Sequence, residues 1–462
     1  MVVLDTTVVN IALPQAQHGL GFDNNGRQWI VTAYALAFGS LLLLGGRIAD
    51  HYSRKWAFLA GLTGFAVASA VGGAAQNFAM LVTARAVQGV FGALLAPAAL
   101  SLLLTTFTDL KERNKAFGIF GAIVGAGAGI GLLLGGLLTE YLDWRWCMYI
   151  NLIFAVVAFI GGFLLLVHRS ADDAKPLDLP GVVTVGAALF SVVYGFSHAQ
   201  TDGWLNGVTL GFLAAGLVLL VAFVLVELRA LHPLLPMRVV LDRNRGGSYL
   251  AIFIVGIGMF GVFLFLTYYL QQTLGFSAVR SGLAFLPMVG VTMIVAITGQ
   301  TVLASRVAPK IMIPAGMLVS ASGMLIMTNI GVNSSYATHV LPGLLVMGVG
   351  IGLVFASAMA AATLGVAAED AGVASAMVNV GQQIGGSIGT ALLSTLAATA
   401  ASSYLVGKTP TELVLAQATI HSYTTAFWWS AAIFAAGAVV CALLLKPGAP
   451  KVAGDAVPAL AH

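Results

Sequence analysis

The chain has 462 residues, of which 59% are hydrophobic and only 8% are Asp, Glu, Lys or Arg. A soluble domain carries about a quarter charged residues, so lipid must be the solvent for most of this surface. The formal charge of +4 comes from bases scattered among apolar runs, which argues against nucleic-acid binding because that function needs a basic stripe or patch.

Long apolar runs follow one another along the chain. Each is about twenty residues long and lacks the alternation that a membrane barrel requires, so the runs predict spanning helices. Fourteen such helices are expected in an all-α integral membrane fold, at 1–14, 28–46, 56–75, 79–104, 115–138, 148–167, 181–199, 207–226, 247–270, 281–303, 311–330, 338–363, 372–398 and 424–445.

Lys and Arg residues are distributed unevenly between these helices. If the amino terminus is cytoplasmic, sixteen bases fall on the inner side and four on the outer side, which is the bias that orients membrane proteins. We therefore expect both termini on the cytoplasmic side of the inner membrane. The first predicted helix would cover only about 21 Å, and this shortness suggests about ten further residues upstream, since the hydrocarbon core is about 30 Å thick.

A weak internal repeat relates two basic turns. Segments 49–61 and 304–316 share Ala, Lys and an Ala-Gly pair at equivalent positions. The repeat predicts two six-helix halves with two helices inserted between them, a pattern typical of transporters. The expected divisions are a first half at 1–167, the inserted helices with their loops at 168–246, a second half at 247–445 and a flexible cytoplasmic tail at 446–462.

Asp5 and Arg85 lie within predicted helices 1 and 4, whereas Glu140 and Glu227 fall at helix ends. Ionisable groups at membrane depth are costly and usually line a cavity or face a partner. A structural ion pair is one interpretation. A proton switch is the other, because desolvation favours a neutral carboxylic acid whereas a nearby guanidinium favours the carboxylate.

Five motifs occur in order in the first half of the chain: "LDTTVVNIALP", "GGRIADHYSRK", "RAVQG", "GAGAGIGLLLGG" and "WRWCMYIN". With these motifs the chain resembles the fourteen-helix drug:proton antiporter family of the major facilitator superfamily over essentially its whole length. The resemblance implies that Asp5 is the proton acceptor and that Arg85 tunes it.

The stretch "GGRIADHYSRK" is similar to a family motif, with His51 and Ser53 replacing Arg and Gly. The resemblance implies a conformational latch in which the aspartate pairs with a base or a helix amino terminus. The alternative is that its charges only set the topology. The candidate latch residues are Gly46, Asp50, Arg54, Lys55 and Arg113.

Glycines are frequent in helix 5. Gly131, Gly135 and Gly136 match the family's helix 5 motif, although Leu132 replaces its proline. The simpler interpretation is that small residues let helices pack closely.

Polar and aromatic residues on several helices are candidate substrate contacts, although in lipid such side chains as often join helices. Asn151, with Trp144 and Arg145, is instead expected to organise the outer end of helices 5 and 6. The candidate cavity residues are Asn10, Tyr34, Gln88, Phe265, Tyr268, Tyr269, Gln272, Asn379, Gln382 and Gln383.

The function expected first is proton-coupled export of amphipathic, cationic drugs or antibiotics across the cytoplasmic membrane. The alternatives are a physiological exporter of a lipid, peptide or metabolite on the same fold, and a membrane receptor without transport. An enzyme is disfavoured, and no nucleotide-binding motif of the Walker type is present. We expect no metal and no cofactor, with protons as the coupling ion, and a monomer whose partners are a small molecule and the lipid bilayer.

Overall fold

The structure is a computed structural model that describes residues 1–107, 110–167, 178–231, 233–299, 307–363, 366 and 371–447. Its described residues form helices and connecting turns, without a strand. Single π-helical turns occupy Tyr269–Thr273 and Tyr336–Val340. The helices are α1 (Val2–Leu20), α2 (Asn24–His51), α3 (Arg54–Gly73), α4 (Phe78–Thr106), α5 (Leu110–Tyr141), α6 (Trp146–Leu165), α7 (Leu179–Asp202), α8 (Gly207–Arg229), α9 (Met237–Val240), α10 (Arg243–Tyr268), α11 (Ala278–Thr298), α12 (Pro309–Met327), α13 (Leu341–Thr363), α14 (Ala371–Leu405) and α15 (Glu412–Leu444).

Within the described part of the chain, 12 helices are long and apolar enough to cross a membrane. The two long helices outside this group are α1, which carries Asp5, and α5, whose described apolar stretch is Gly129–Tyr141. The all-α membrane fold is therefore confirmed, whereas the number of fourteen spans stays a prediction. Helix α8 buries only 17% of its apolar window, as does α6, so lipid covers most of both helices.

Several helices extend beyond the apolar runs that predicted them, because caps outside those runs fix their ends. The prediction that the first helix ends at Pro14 was wrong. That helix continues to Leu20 and ends at Gly21, which takes a left-handed conformation with φ of 68°. Helix α15 likewise begins at Glu412, twelve residues before the predicted start. The hydroxyl of Thr411 caps its first turn by accepting the backbone N–H of Val414.

Helix packing divides the described helices into two groups. In the first group α1 packs on α5 and α6, α2 packs on α4, and α3 packs on α4 and α6. In the second group α10 packs on α13, α14 and α15, while α13 also packs on α11 and α12. The groups meet where α5 contacts α11 and where α2 contacts α14. Helix α7 packs on α8 and touches both α2 and α14, one helix from each group; the division into two halves with inserted helices stays a prediction.

Candidate functional site

The only two ionisable side chains that the sequence placed at depth in the first six helices meet in the structure. Asp5 on α1 is fully buried, and Arg85 on α4 is 1% exposed. The Nη1 atom of Arg85 lies 2.5 Å from Oδ2 of Asp5. The attraction between two opposite charges this deep offsets the cost of burying them, and removing either one would leave the other without compensation.

Three polar side chains complete this site, which we call the Asp5 network: Asp5, Ser69, Arg85, Gln88 and Asn151. Asn151 donates from Nδ2 to Oδ1 of Asp5 at 2.7 Å, and Gln88 donates from Nε2 to the same oxygen at 3.2 Å. Gln88 also accepts from Arg85 at 2.9 Å and donates to the Ser69 hydroxyl at 2.6 Å. Asp5 thus accepts hydrogen bonds from α4 and α6, so these contacts hold α1 to both helices.

The motif "RAVQG" explains how α4 builds its side of the network. Arg85 and Gln88 are three residues apart, so they lie on one helical face. A Cβ on Gly89 would lie 2.5 Å from the carbonyl oxygen of Tyr34, so only glycine lets α2 approach α4 here. That approach places the Tyr34 ring 4.3 Å from the Arg85 guanidinium, as a cation–π contact.

Two atoms of the Asp5 network are buried without a hydrogen-bond partner among the described residues. They are Nε of Arg85, a donor, and Oδ1 of Asn151, an acceptor. Buried polar groups of this kind are costly unless they find a partner. Arg85 can therefore donate one further hydrogen bond, and Asn151 can accept one.

The glycines of α5 hold α1 in place. A Cβ on Gly131 would lie 2.9 Å from the Leu4 carbonyl oxygen, and one on Gly135 would lie 3.0 Å from the Val8 Cα. These glycines therefore set the position of the α1 turn that carries Asp5. Gly136 faces the other way, towards α11, so α5 packs closely on both groups of helices.

The latch candidates occupy a shorter turn than the sequence suggested, because α2 ends at His51 and α3 begins at Arg54. Lys55 donates from Nζ to the carbonyl oxygens of Phe163 and Leu166, at 2.8 and 2.6 Å. Lys55 thus caps the carboxyl end of α6, within the first group of helices. Arg54 is half-buried at the start of α3.

The rest of the predicted latch is only partly described. A Cβ on Gly46 would lie 3.5 Å from Pro97, an ordinary contact, whereas neighbouring Gly45 touches the backbone of α4 so closely that no side chain fits. The side chains of Asp50 and Arg113 lie outside the described ones. The latch therefore stays a prediction.

The candidate contacts on α10 separate into different environments. Phe265 and Tyr269 are buried against Tyr423, and the Tyr269 hydroxyl donates to the Gly331 carbonyl at 3.0 Å. Gln272 is exposed, because the helix makes a π-helical turn after α10 and its register changes.

The remaining candidates are half-buried. Asn10 lies on α1, and Asn379, Gln382 and Gln383 lie on α14. The Gln382 carbonyl is 2.6 Å from the position of a Cβ on Gly256, so α14 and α10 pack closely there. The structure therefore brings Tyr34 and Gln88 to Asp5 and Arg85, and it places the second-half candidates elsewhere.

Sequence reasoning missed a second buried base at the junction of the two groups. Arg27 is 3% exposed, and its guanidinium lies 4.6 Å from the ring centroid of Tyr268 on α10. It also donates to Gln17 on α1. Asp23 could have indicated this position, because an Asp is a typical N-cap. It caps the first turn of α2, which places Arg27 inside a helix rather than in a loop.

The comparisons with known proteins give one family and several relatives. The family model of the Major Facilitator Superfamily matches residues 1–390. The chain is 46% identical over 452 residues to the puromycin resistance protein pur8 of Streptomyces alboniger, covering 96% of this chain and 89% of that protein. It is 35% identical over 465 residues to the cephamycin export protein CmcT of Amycolatopsis lactamdurans, covering 100% of this chain and 92% of that protein.

A solved structure shares the fold. It is a bacterial homologue of the human lysosomal transporter Spinster, with a TM-score of 0.62, 14% identity and 96% coverage of both chains. At this identity the likeness concerns the fold alone.

Proposed function

Since this chain belongs to the Major Facilitator Superfamily, we propose that it is a proton-coupled exporter of amphipathic small molecules, cationic ones among them. The observation that carries this proposal is the fully buried Asp5 carboxylate, paired with Arg85 at 2.5 Å. Protons would be the coupling ion, and no metal or cofactor would be needed.

The Asp5 network supports coupling because its hydrogen bonds are sensitive to a proton. Asp5 accepts from Arg85, Gln88 and Asn151. A protonated carboxyl group has one O–H donor and less capacity to accept. Proton binding would therefore weaken at least one of these contacts, each of which joins α1 to α4 or α6. The proton would in this way favour a different position of α1.

Substrate would act on the same equilibrium from the opposite direction. A cationic group near Asp5 favours the carboxylate, as Arg85 does, and so would drive release of the proton. Because Asp5 is fully buried here, such competition requires α1 to separate from α4. In this movement α1 would shift against the surface of α5 that carries the glycines, where the two helices already pack closely.

The substrate class is supported by the relatives. They are named for puromycin resistance and for cephamycin export, and both names point to antibiotics. We propose export of compounds of this kind. The alternative is a physiological exporter of a lipid, peptide or metabolite, which the same fold could serve.

The proposed topology has fourteen spans, including α1 and α5. The 19 residues of α1 cover about 28 Å, close to the thickness of the hydrocarbon core, about 30 Å. With the excess of bases on the inner side, both termini would be cytoplasmic. The halves 1–167 and 247–445 would each carry six spans on one chain, so a monomer suffices.

The test is transport into proteoliposomes under an imposed pH gradient, with puromycin and a fluorescent lipophilic cation as probes. We expect Asp5→Asn to lose gradient-driven transport while folding normally. The matched control is Asp143→Asn, which removes the acid of a half-exposed pair with Arg145 at 3.5 Å. Equal transport by wild type and Asp5→Asn would contradict the proposal. Absence of transport of both probes by the wild type would favour the physiological alternative.

A further inference from the structure

A buried acid lies outside the Asp5 network, at the end of the inserted helix α8. Glu227 is 3% exposed. Its Oε2 atom accepts the backbone N–H of Leu235 at 2.9 Å. Its other oxygen, Oε1, is also buried and receives no hydrogen bond from the residues that the structure describes.

The unpaired oxygen of Glu227 faces a second carboxylate. Asp178 caps α7, with its Oδ1 accepting the backbone N–H of Gly181 at 3.0 Å. Its Oδ2 atom is buried and, like Oε1 of Glu227, has no donor in the described ranges. A Cβ on Gly181 would lie 2.5 Å from Oδ2 of Asp178 and 2.6 Å from Oε1 of Glu227, so glycine leaves room for the two oxygens to meet.

Two ionised carboxylates cannot form a hydrogen bond, because both are acceptors only. Side by side and buried, they also repel each other strongly. One proton resolves both problems, since it turns one group into an O–H donor to the other. The geometry therefore points to Asp178 and Glu227 as a proton-binding carboxyl pair, distinct from Asp5.

A proton fits this site better than a metal ion does. Calcium and magnesium ions prefer six or more oxygen ligands. Here the other two carboxylate oxygens are occupied by the N–H groups of Gly181 and Leu235, which are donors. The described residues also contain no group of three or more His, Cys, Asp or Glu that could hold a metal.

Among the described residues, the charged groups around the pair come from few elements; residues 168–177, which include Asp172, Asp173 and Lys175, lie outside them. Arg47 on α2 acts on Glu227 electrostatically, as Asp178 on α7 does. Helix α14, which packs on α7, carries no Asp, Glu, Lys, Arg or His. Arg229 is exposed two residues further along α8, and His232 lies outside the described residues.

The pair takes part in a link between α2 and the inserted helices. Arg47 donates to the carbonyl oxygens of Pro233 and Leu234, next to the Leu235 N–H that binds Glu227. Loss of the shared proton would add a negative charge beside Arg47 and weaken the hold of α8 on α7. The pair would therefore make this link, on the side of the membrane that carries the basic turns, dependent on pH.

The test is the pH dependence of thermal unfolding of the purified full-length protein, from about pH 5.5 to about pH 8.5, where free carboxyl groups are ionised. The unfolded chain then binds fewer protons than the folded pair, so the wild-type midpoint should fall as the pH rises. In Glu227→Gln the amide supplies the missing donor without a proton, and most of this fall should be lost. Asp178→Asn should behave in the same way, and it serves as the second variant if the first does not fold.

The matched control is Glu140→Gln, since Glu140 also accepts one backbone N–H, that of Val279 at 3.1 Å, but is exposed. It should keep the wild-type pH dependence. If both pair variants keep it too, the proposal is overturned. It is overturned as well if sodium, but not choline, stabilises the wild type at high pH and this effect disappears in the variants, because the site would then bind a cation.

Discussion

The two buried acids among the side chains that the structure describes, Asp5 and Glu227, have opposite surroundings. Asp5 accepts from three side chains, one of them the guanidinium of Arg85. Glu227 has one backbone donor, and its second oxygen faces the acceptor oxygen of Asp178. The first acid must lose a donor to take up a proton, whereas the second lacks a donor until a proton is bound.

The number of hydrogen-bond donors, rather than burial, distinguishes the two acids. Both carboxyl groups are almost completely buried, so exposure does not distinguish them. Asp5 has donors for both of its oxygens, whereas Glu227 has a donor for only one. An acid whose donors join three helices suits coupling, and a proton-sharing pair suits a pH-dependent contact.

The largest expected effect is that of removing the base from the Asp5 network. Arg85→Ala leaves a buried carboxylate without its partner and should destabilise the protein by about 3–5 kcal/mol. The control is Asp143→Asn, which removes the acid of the half-exposed pair with Arg145 and should cost at most about 1 kcal/mol. Denaturant unfolding measures both. Similar losses in the two variants would mean that Asp5 is not held as a charged group.

The next effect concerns one amide donor. Asn151→Leu removes a hydrogen bond to a charged group, worth about 1.5–3 kcal/mol. The free energy of unfolding should therefore fall by about this amount, and gradient-driven transport should weaken because the contact that joins α6 to Asp5 is lost. Asn329→Leu, which changes an exposed amide, should change neither property. Unchanged unfolding and transport in Asn151→Leu would show that Asn151 does not contribute to the site.

A third prediction separates the two acids. Asp5→Asn should abolish gradient-driven transport and keep the fall of the unfolding midpoint with pH. Glu227→Gln should keep transport at a fixed pH and lose most of that fall, a change of up to about 1.4 kcal/mol per pH unit in the free energy of unfolding. Transport and the pH dependence of thermal unfolding are measured for both variants. If either variant loses both the transport and the fall of the midpoint with pH, the two acids do not act as separate sites.

The smallest effect is expected at the ring beneath Arg85. Tyr34→Phe keeps the aromatic face 4.3 Å from the guanidinium, so the cation–π contact should persist. Tyr34→Leu removes that contact, and the free energy of unfolding should fall by about 1–2 kcal/mol more than in Tyr34→Phe. Equal stability of the two variants would show that the ring contributes only packing.

Much of the fold and part of the site could be predicted from the sequence. The helices follow from apolar runs, and the pairing of Asp5 with Arg85 follows from the cost of isolated charges at depth. Apolar runs do not predict where α1 ends or where α15 begins, because the caps at Gly21 and Thr411 lie outside those runs.

The remaining site residues gave weaker signals. Asn151 and Ser69 are residue types that often join membrane helices, so nothing in their own spacing pointed to Asp5. The pairing of Asp178 with Glu227 depends on how α7 meets α8 across 49 positions of sequence, which no local pattern encodes.

Proton release from the purified protein in weakly buffered detergent solution, on addition of puromycin, tests directly whether Asp5 couples substrate binding to a proton. We predict release by the wild type and by Asp143→Asn, and none by Asp5→Asn. Puromycin binding without proton release in the wild type, or equal release by Asp5→Asn, would contradict the assignment of Asp5 as the coupling site.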